Sequence, residues 1–276
     1  MKKFFLLILF LLGCDSPKSF DKGLQIQLFC RVLVTGCETG RPTKFGMIGD
    51  SWTDLVLGTD AIESLRVQLE KYHGYKIIGS TLGGQLLETA LKQNLHFKVI
   101  EEAGPDIKYM LLSLGGNDIL GNISRYNGRI EEEKAIRFST IRSSLSQMIQ
   151  QGNAYKVSKW GGAPLIWMIH GYDYANPDVP SLSGSTFCRQ TLLDAGFTTS
   201  TIETLSKNLD DLNSLYIQIT TTEPQLKYID LRRTLGGPPY SNPANMFDCI
   251  HPNSIGFRII GERYAKAIEG QTNGEK

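Results

Sequence analysis

The sequence predicts an α/β fold, a three-layer α/β/α sandwich around a five-stranded, mainly parallel, doubly wound sheet. Three observations predict it. From Lys44 onward, five short apolar runs alternate with segments whose apolar residues recur at helical spacing. Parallel strands need helical crossovers, and these cover both faces of the sheet. The crossovers share one hand, which fixes the winding. Finally, 41 % of the 276 residues are hydrophobic, an ordinary share for one globular core, and no internal repeat or low-complexity stretch points elsewhere.

The elements follow in order. The first strand is Lys44 to Ile48, and it stops abruptly on Gly49-Asp50-Ser51. Asp60-Ala61-Ile62-Glu63 pairs an N-cap acid with a glutamate three residues on, and Ile62, Leu65 and Leu69 form a helical stripe. Tyr75 to Ile78 is the second strand. A helix carrying Leu87 and Leu91 starts near Gly84, and His96 falls in a polar linker after it. Lys108 to Leu114 is the third strand. Glu131 to Gln151 is a long helix with Phe138, Ile141, Leu145, Met148 and Ile149 on one face. Leu165 to Ile169 is the fourth strand. Tyr172 to Ser200 is rich in Pro, Ser, Gly and Asp and reads as an excursion from the sheet. Thr201 to Tyr216 is a helix, Leu226 to Ile229 the fifth strand, and Leu235 to Phe247 a loop. A last helix starts near Pro252, with Ile255, Ile259, Ile260, Tyr264 and Ile268 at helical spacing.

The N-terminus reads as an export signal. Lys2 and Lys3 precede the unbroken apolar run Phe4 to Leu12, which is too short to span a bilayer. The run ends in Leu11-Leu12-Gly13-Cys14, which resembles a bacterial lipobox. Cys14 is therefore the expected lipidated N-terminus, anchoring the protein to a membrane outside the cytoplasm, on the periplasmic face or the cell surface. The predicted organisation is a signal peptide over 1–13, a lipidated tether and extension over 14–43, the α/β domain over 44–270 and a tail over 271–276. Leu24, Ile26 and Leu28 alternate with glutamines, as in an edge strand. Removal of residues 1–13 takes Lys2 and Lys3 with it and changes the formal charge from +1 to −1. No basic excess remains to drive nucleic-acid binding. Export permits disulfides. Cys30, Cys37, Cys188 and Cys249 allow three pairings, of which Cys30–Cys37 with Cys188–Cys249 is the expected one.

In doubly wound sheets the ligand site lies beyond the carboxyl ends of the strands. Ser51 directly follows the first strand. A serine hydroxyl is a weak nucleophile until a base takes its proton. Of the four histidines, His251 sits just before the last helix, with Asp248 three residues earlier. On a tight loop that spacing brings the carboxylate to Nδ1 and leaves Nε2 for Ser51. His170, followed by Asp173, ends the fourth strand and is the weaker candidate base. A tetrahedral intermediate needs oxyanion donors. The backbone N–H of Ser51, the backbone N–H of Gly84 at a helix start, and the side chain of Asn117 in Gly115-Gly116-Asn117-Asp118 are the candidates.

Four blocks thus fall in order: Gly49-Asp50-Ser51-Trp52-Thr53, Gly84 (or Gly83), Gly115-Gly116-Asn117-Asp118, and Asp248 through His251. Together they resemble the SGNH hydrolase family, also called GDSL esterases and lipases. The resemblance runs from Lys44 to Gly270 and implies the flavodoxin-like fold of that family. It also implies catalytic Ser51, Asp248 and His251, and an oxyanion hole of Ser51, Gly84 and Asn117. Two positions depart from the pattern: Trp52 stands where leucine is usual, and Gly79 where asparagine is usual. Asp50 and Asp118 are expected to brace their loops.

The function these residues imply is ester hydrolysis through an acyl-enzyme on Ser51. A carbohydrate O-acetylesterase using the same residues is one alternative, and a lipid-anchored, non-catalytic binding protein is another. The expected partners are an ester substrate (a small molecule, lipid or glycan) and the membrane. No cofactor or metal is expected, because His73, His96, His170 and His251 form no H-x-H or H-E-x-x-H cluster. No G-x-S-x-G elbow joins a strand to a helix, which disfavours an α/β-hydrolase.

Overall fold

A computed structural model of the chain describes residues 44–54, 62–180 and 187–276. The signal segment, Cys14, the tether with its expected strand, the Cys30 and Cys37 pair and the helix start at Asp60 lie outside the described residues. Five parallel strands form one sheet in the order β2-β1-β3-β4-β5. They are β1 (Phe45–Gly49), β2 (Ile77–Thr81), β3 (Tyr109–Ser113), β4 (Ile166–His170) and β5 (Leu226–Ile229). This is the α/β architecture the alternation predicts, and every strand pair is parallel.

Position in the sheet explains strand composition. β1 and β3 lie centrally and are buried at every residue. Both their faces are covered, so they read as continuous apolar runs. β2 and β5 are the edges and are only partly buried, which tolerates Ser80, Thr81 and Lys227. β2 runs two residues later than Tyr75. The Tyr75 ring packs edge-on to Phe45 at 5.2 Å before the strand begins.

Helix α1 (Leu65–Val67), which runs on into a π-turn over Gln68–Tyr72, packs with the last helix, α8 (Ser254–Thr272). Helices α2 (Leu87–Lys92), α3 (Leu95–Ala103), α5 (Ile130–Trp160) and α7 (Thr199–Thr220) form a second, connected group. The β4 residues separate the two layers: Trp167 lies against α5, and His170 lies against Tyr264 of α8. The short α4 (Gly116–Leu120) and α6 (Cys188–Asp194) stand at the carboxyl end of the sheet and in the excursion after β4. Among the described residues no helix is long and apolar enough to cross a membrane.

Three expectations need correction. His96 is not in a polar linker; it is buried within α3. The polar run Lys92-Gln93-Asn94 is only a one-turn break, where Asn94 takes a left-handed φ of 55°. The long helix continues nine residues beyond Gln151. Buried Lys156 ties off its end by donating to the carbonyls of Gly161 (2.8 Å) and Ala163 (2.7 Å). The excursion after β4 is not wholly irregular, since it contains α6.

Gly152 in α5 offers a test of the packing. A Cβ there would lie 2.5 Å from the Trp167 ring, and that ring is held by Nε1 donating to Asn153 Oδ1 at 2.9 Å. Helix propensity alone makes Gly→Ala stabilising by about 1 kcal/mol, whereas overpacking costs about 1–3 kcal/mol. Because the ring is pinned, the clash should win. Gly152→Ala should lower the urea midpoint, and a raised midpoint would mean that Trp167 moves aside freely.

Candidate active site

The sheet order reverses direction between β1 and β3, one strand connecting outward on each side. A crevice forms at such a switch point. Ser51 follows β1 and Asn117 opens α4 after β3, so the two flank it. The close approach requires particular residues. At Gly49 a Cβ would fall 1.9 Å from Thr53 Oγ1. Gly115 takes a φ of 103°, and a Cβ there would fall 1.9 Å from the Tyr216 hydroxyl.

Asp50 organises the crevice floor. It is 1 % exposed. Its Oδ1 accepts from the backbone N–H of Trp52 (3.0 Å) and from Ser113 Oγ (3.1 Å). Its Oδ2 accepts from the Tyr172 hydroxyl (2.5 Å) and from Asn117 Nδ2 (3.3 Å). Burial pushes the Asp50 carboxyl up to about 6, against the downward pull of the bonds from Tyr172, Trp52 and Ser113. Asp118 accepts from the backbone N–H of Leu87 at 3.0 Å and fixes the start of α2. Burial raises it to about 6 as well.

The loop after β5 brings the third group. Phe247 N–H donates to the His251 carbonyl at 2.8 Å, and Met246 bridges Pro252. Asn253 caps α8 by accepting from Gly256 N–H at 2.9 Å. Within this loop Asp248 Oδ1 accepts the backbone N–H groups of Ile250 (2.8 Å) and His251 (2.7 Å). Its Oδ2 lies 2.7 Å from His251 Nδ1. His251 Nε2 then lies 2.7 Å from Ser51 Oγ, across 200 residues of sequence. Trp52 ties the two loops together through Nε1, which donates to the Ile250 carbonyl at 2.9 Å. Its ring packs edge-on to Tyr172 and Phe257.

The cleft, about 350 Å³ including its mouth, is lined by Ser51, Asn117 and His251 among others. Gly84 does not line it. Gly84 is exposed, in a turn closed by Gln85 N–H on the Leu82 carbonyl at 3.0 Å, and the helix starts only at Leu87. The expectation that Gly84 heads a helix is therefore corrected. His170 is also set apart from Asp173. It is fully buried, its Nδ1 meets the Gly171 carbonyl at 3.1 Å, and its ring packs among Trp52, Tyr172 and Tyr264. Asp173 instead accepts the backbone N–H groups of Tyr174, Arg233 and Leu235. The sequence places Tyr172 only at the start of the excursion; its position just after β4 is the one sign that it reaches Asp50.

The same arrangement of blocks is matched over residues 47–259 by the model of the GDSL-like lipase/acylhydrolase family. The chain belongs to that family. Its members are hydrolases that act on esters, and the five-stranded parallel sheet is the fold of its SGNH structural neighbours. A protein assigned as an acylhydrolase in Bacteroides fragilis is similar at a TM-score of 0.55 and 15 % identity, covering 92 % of this chain and 99 % of that one. A GDSL-like lipase of Bacteroides thetaiotaomicron is similar at 0.52 and 13 %, covering 92 % and 100 %. The lipase/acylhydrolase of Enterococcus faecalis is similar at 0.52 and 16 %, covering 83 % and 96 %. At these identities the likeness speaks for the fold. No curated protein matches the sequence.

One disulfide pins the histidine loop of this acylhydrolase. Cys249, between Asp248 and Ile250, is bonded to Cys188 at the start of α6, 61 residues away in sequence. Closing a loop of that length stabilises by about 2–4 kcal/mol. Cys188→Ser/Cys249→Ser should lower the melting temperature correspondingly, and reduction should then lower the melting temperature of this variant by less than it lowers that of wild type.

His170 predicts acid sensitivity. Burial holds its imidazole down at about 4, below the usual 6.5. The unfolded chain therefore takes up a proton that the folded chain refuses between those values. The stability is full above pH 6.5 and is lost as the pH falls toward 4, by up to about 3 kcal/mol. His170→Leu should show a shallower fall in melting temperature over that window, and an unchanged slope would contradict the assignment.

Proposed function

We propose that this acylhydrolase is a serine esterase that uses Ser51 as nucleophile, His251 as general base and Asp248 as the group that orients His251. The observation that carries this reading is the continuous relay from Asp248 Oδ2 to His251 Nδ1 and from Nε2 to Ser51 Oγ, each step 2.7 Å. The two backbone bonds to Asp248 Oδ1 leave its Oδ2 aimed at the imidazole. That fixes the tautomer with the proton on Nδ1 and a lone pair toward Ser51.

The reaction runs in two steps. His251 takes the Ser51 proton as Oγ attacks the ester carbonyl. The developing oxyanion is held by the Ser51 N–H and by Asn117 Nδ2, with the Gly84 N–H joining if its turn closes on substrate. Asn117 is engaged at rest by long bonds to Asp50 and the Gln85 carbonyl, both 3.3 Å. Contacts this long orient the amide and are weak enough to be exchanged for a shorter bond to the oxyanion. Collapse of the intermediate expels the alcohol with the proton from His251. Water then enters, activated by the same imidazole, and releases the acid from Ser51.

The protein is proposed to work outside the cytoplasm, anchored to a membrane through lipidated Cys14. The Cys188–Cys249 disulfide supports this reading, because such bonds persist in oxidising compartments. Fluorophosphonate should label wild type at Ser51 and leave Ser51→Ala unlabelled and inactive on aryl esters. Asn117→Ala should lower kcat by on the order of 10²–10³. Absence of labelling in the folded wild type would turn the reading toward a non-catalytic binding protein.

A further inference from the structure

The cleft is asymmetric about Ser51, and the asymmetry bears on which esters fit. This inference rests on the serine esterase reading. His251 must give its proton to the leaving oxygen, so the alcohol lies on the His251 side. That side belongs to the loop after β5, where Phe247 is 43 % exposed. The carbonyl oxygen lies toward Asn117. The remaining substituent, the acyl chain, must enter the part of the cleft walled by Leu120, Tyr172, Ala175 and Leu209.

That wall cannot easily retreat. Leu209 and Tyr172 are buried in the main core. The Tyr172 hydroxyl is held by Asp50, and its ring lies so near Gly116 that a Cβ there would come within 2.8 Å of it. The next residue, Asp173, is fastened by backbone N–H groups from three positions, at 2.6–2.9 Å. Even with its mouth included, the cleft is near the lower end of the roughly 300–1,000 Å³ usual for ligand pockets. The space it leaves between its walls has room for little more than one water-sized group.

We infer that this site is selective for acetyl esters, with Leu120 and Leu209 setting the limit on acyl length. The acetyl methyl fills this narrow space against these two side chains, and a longer chain collides with them. The limit that this wall sets therefore falls on the acyl chain.

The test is a series of 4-nitrophenyl acetate, butyrate, hexanoate and octanoate on the full chain. One methylene in an apolar pocket changes kcat/KM by about 10–200-fold. Wild type should therefore prefer acetate over hexanoate by at least about 100-fold. Leu120→Ala and Leu209→Ala, each checked for a cooperative melt, should raise the hexanoate-to-acetate ratio by about 10-fold or more. Either folded variant doing so supports the assignment, and if neither folds the wild-type profile decides. Turnover by wild type that holds level or rises with chain length overturns the acetyl assignment alone. An unchanged ratio in both folded variants overturns the roles of Leu120 and Leu209. No turnover together with no fluorophosphonate labelling defeats the serine esterase reading, and the acetyl assignment with it.

Discussion

The buried carboxylate of Asp50 is the interaction on which the site depends. Its two oxygens collect donors from four separate places: the turn after β1, the end of β3, the start of α4 and the segment after β4. Burying a charge unpaired would be prohibitive. Here four donors offset part of the desolvation, and in return the carboxylate fixes the distances between three stretches far apart in sequence, around residues 50–52, 113–117 and 172. Ser51, Asn117 and Tyr172 are thereby held in place relative to one another. The raised value of Asp50 shows that burial still outweighs the bonds it accepts. Each donor removed would leave more of the burial uncompensated.

The histidine arm is built on different principles. Asp248 and His251 are three residues apart, and the loop between them is fastened from inside by Asp248 Oδ1. It is fastened from outside by Cys188, by Asn176 N–H on the Cys249 carbonyl at 2.8 Å, and by Trp52. The arm is thus preorganised locally and then docked, whereas the nucleophile side is assembled from distant pieces. Among the described residues of the excursion after β4, Cys188 and Asn176 are the ones bonded to this loop, through the disulfide and through the Cys249 carbonyl.

Much of this was legible in the sequence because parallel strands buried on both faces read as unbroken apolar runs, and the rule that sites follow strands picks out the residues behind them. Met47-Ile48, Met110-Leu111-Leu112 and Trp167-Met168-Ile169 stand out for that reason. The Asp248 and His251 pairing was legible because it is local. What was hidden depends on packing between distant elements. The break between α2 and α3 is a single left-handed asparagine, so the polar residues around it read as a linker and His96 was misplaced. Gly84 carried the right residue type in the right order. Its distance from the helix start depends on where Asp118 captures Leu87 N–H, a contact between residues 31 apart. Tyr172 could be placed but not given its partner, since the Asp50 contact spans 122 residues.

Trp52, which replaces the leucine usual at its position, joins the turn that bears Ser51 to the loop that bears His251 through one indole hydrogen bond. The chain has two other tryptophans, Trp160 at the surface end of α5 and Trp167 inside the core. Indole emission depends on the polarity and hydrogen bonding around the ring. Trp52 is thus a built-in optical gauge of loop docking: its colour and intensity report whether the two halves of the cleft are joined, with no label attached.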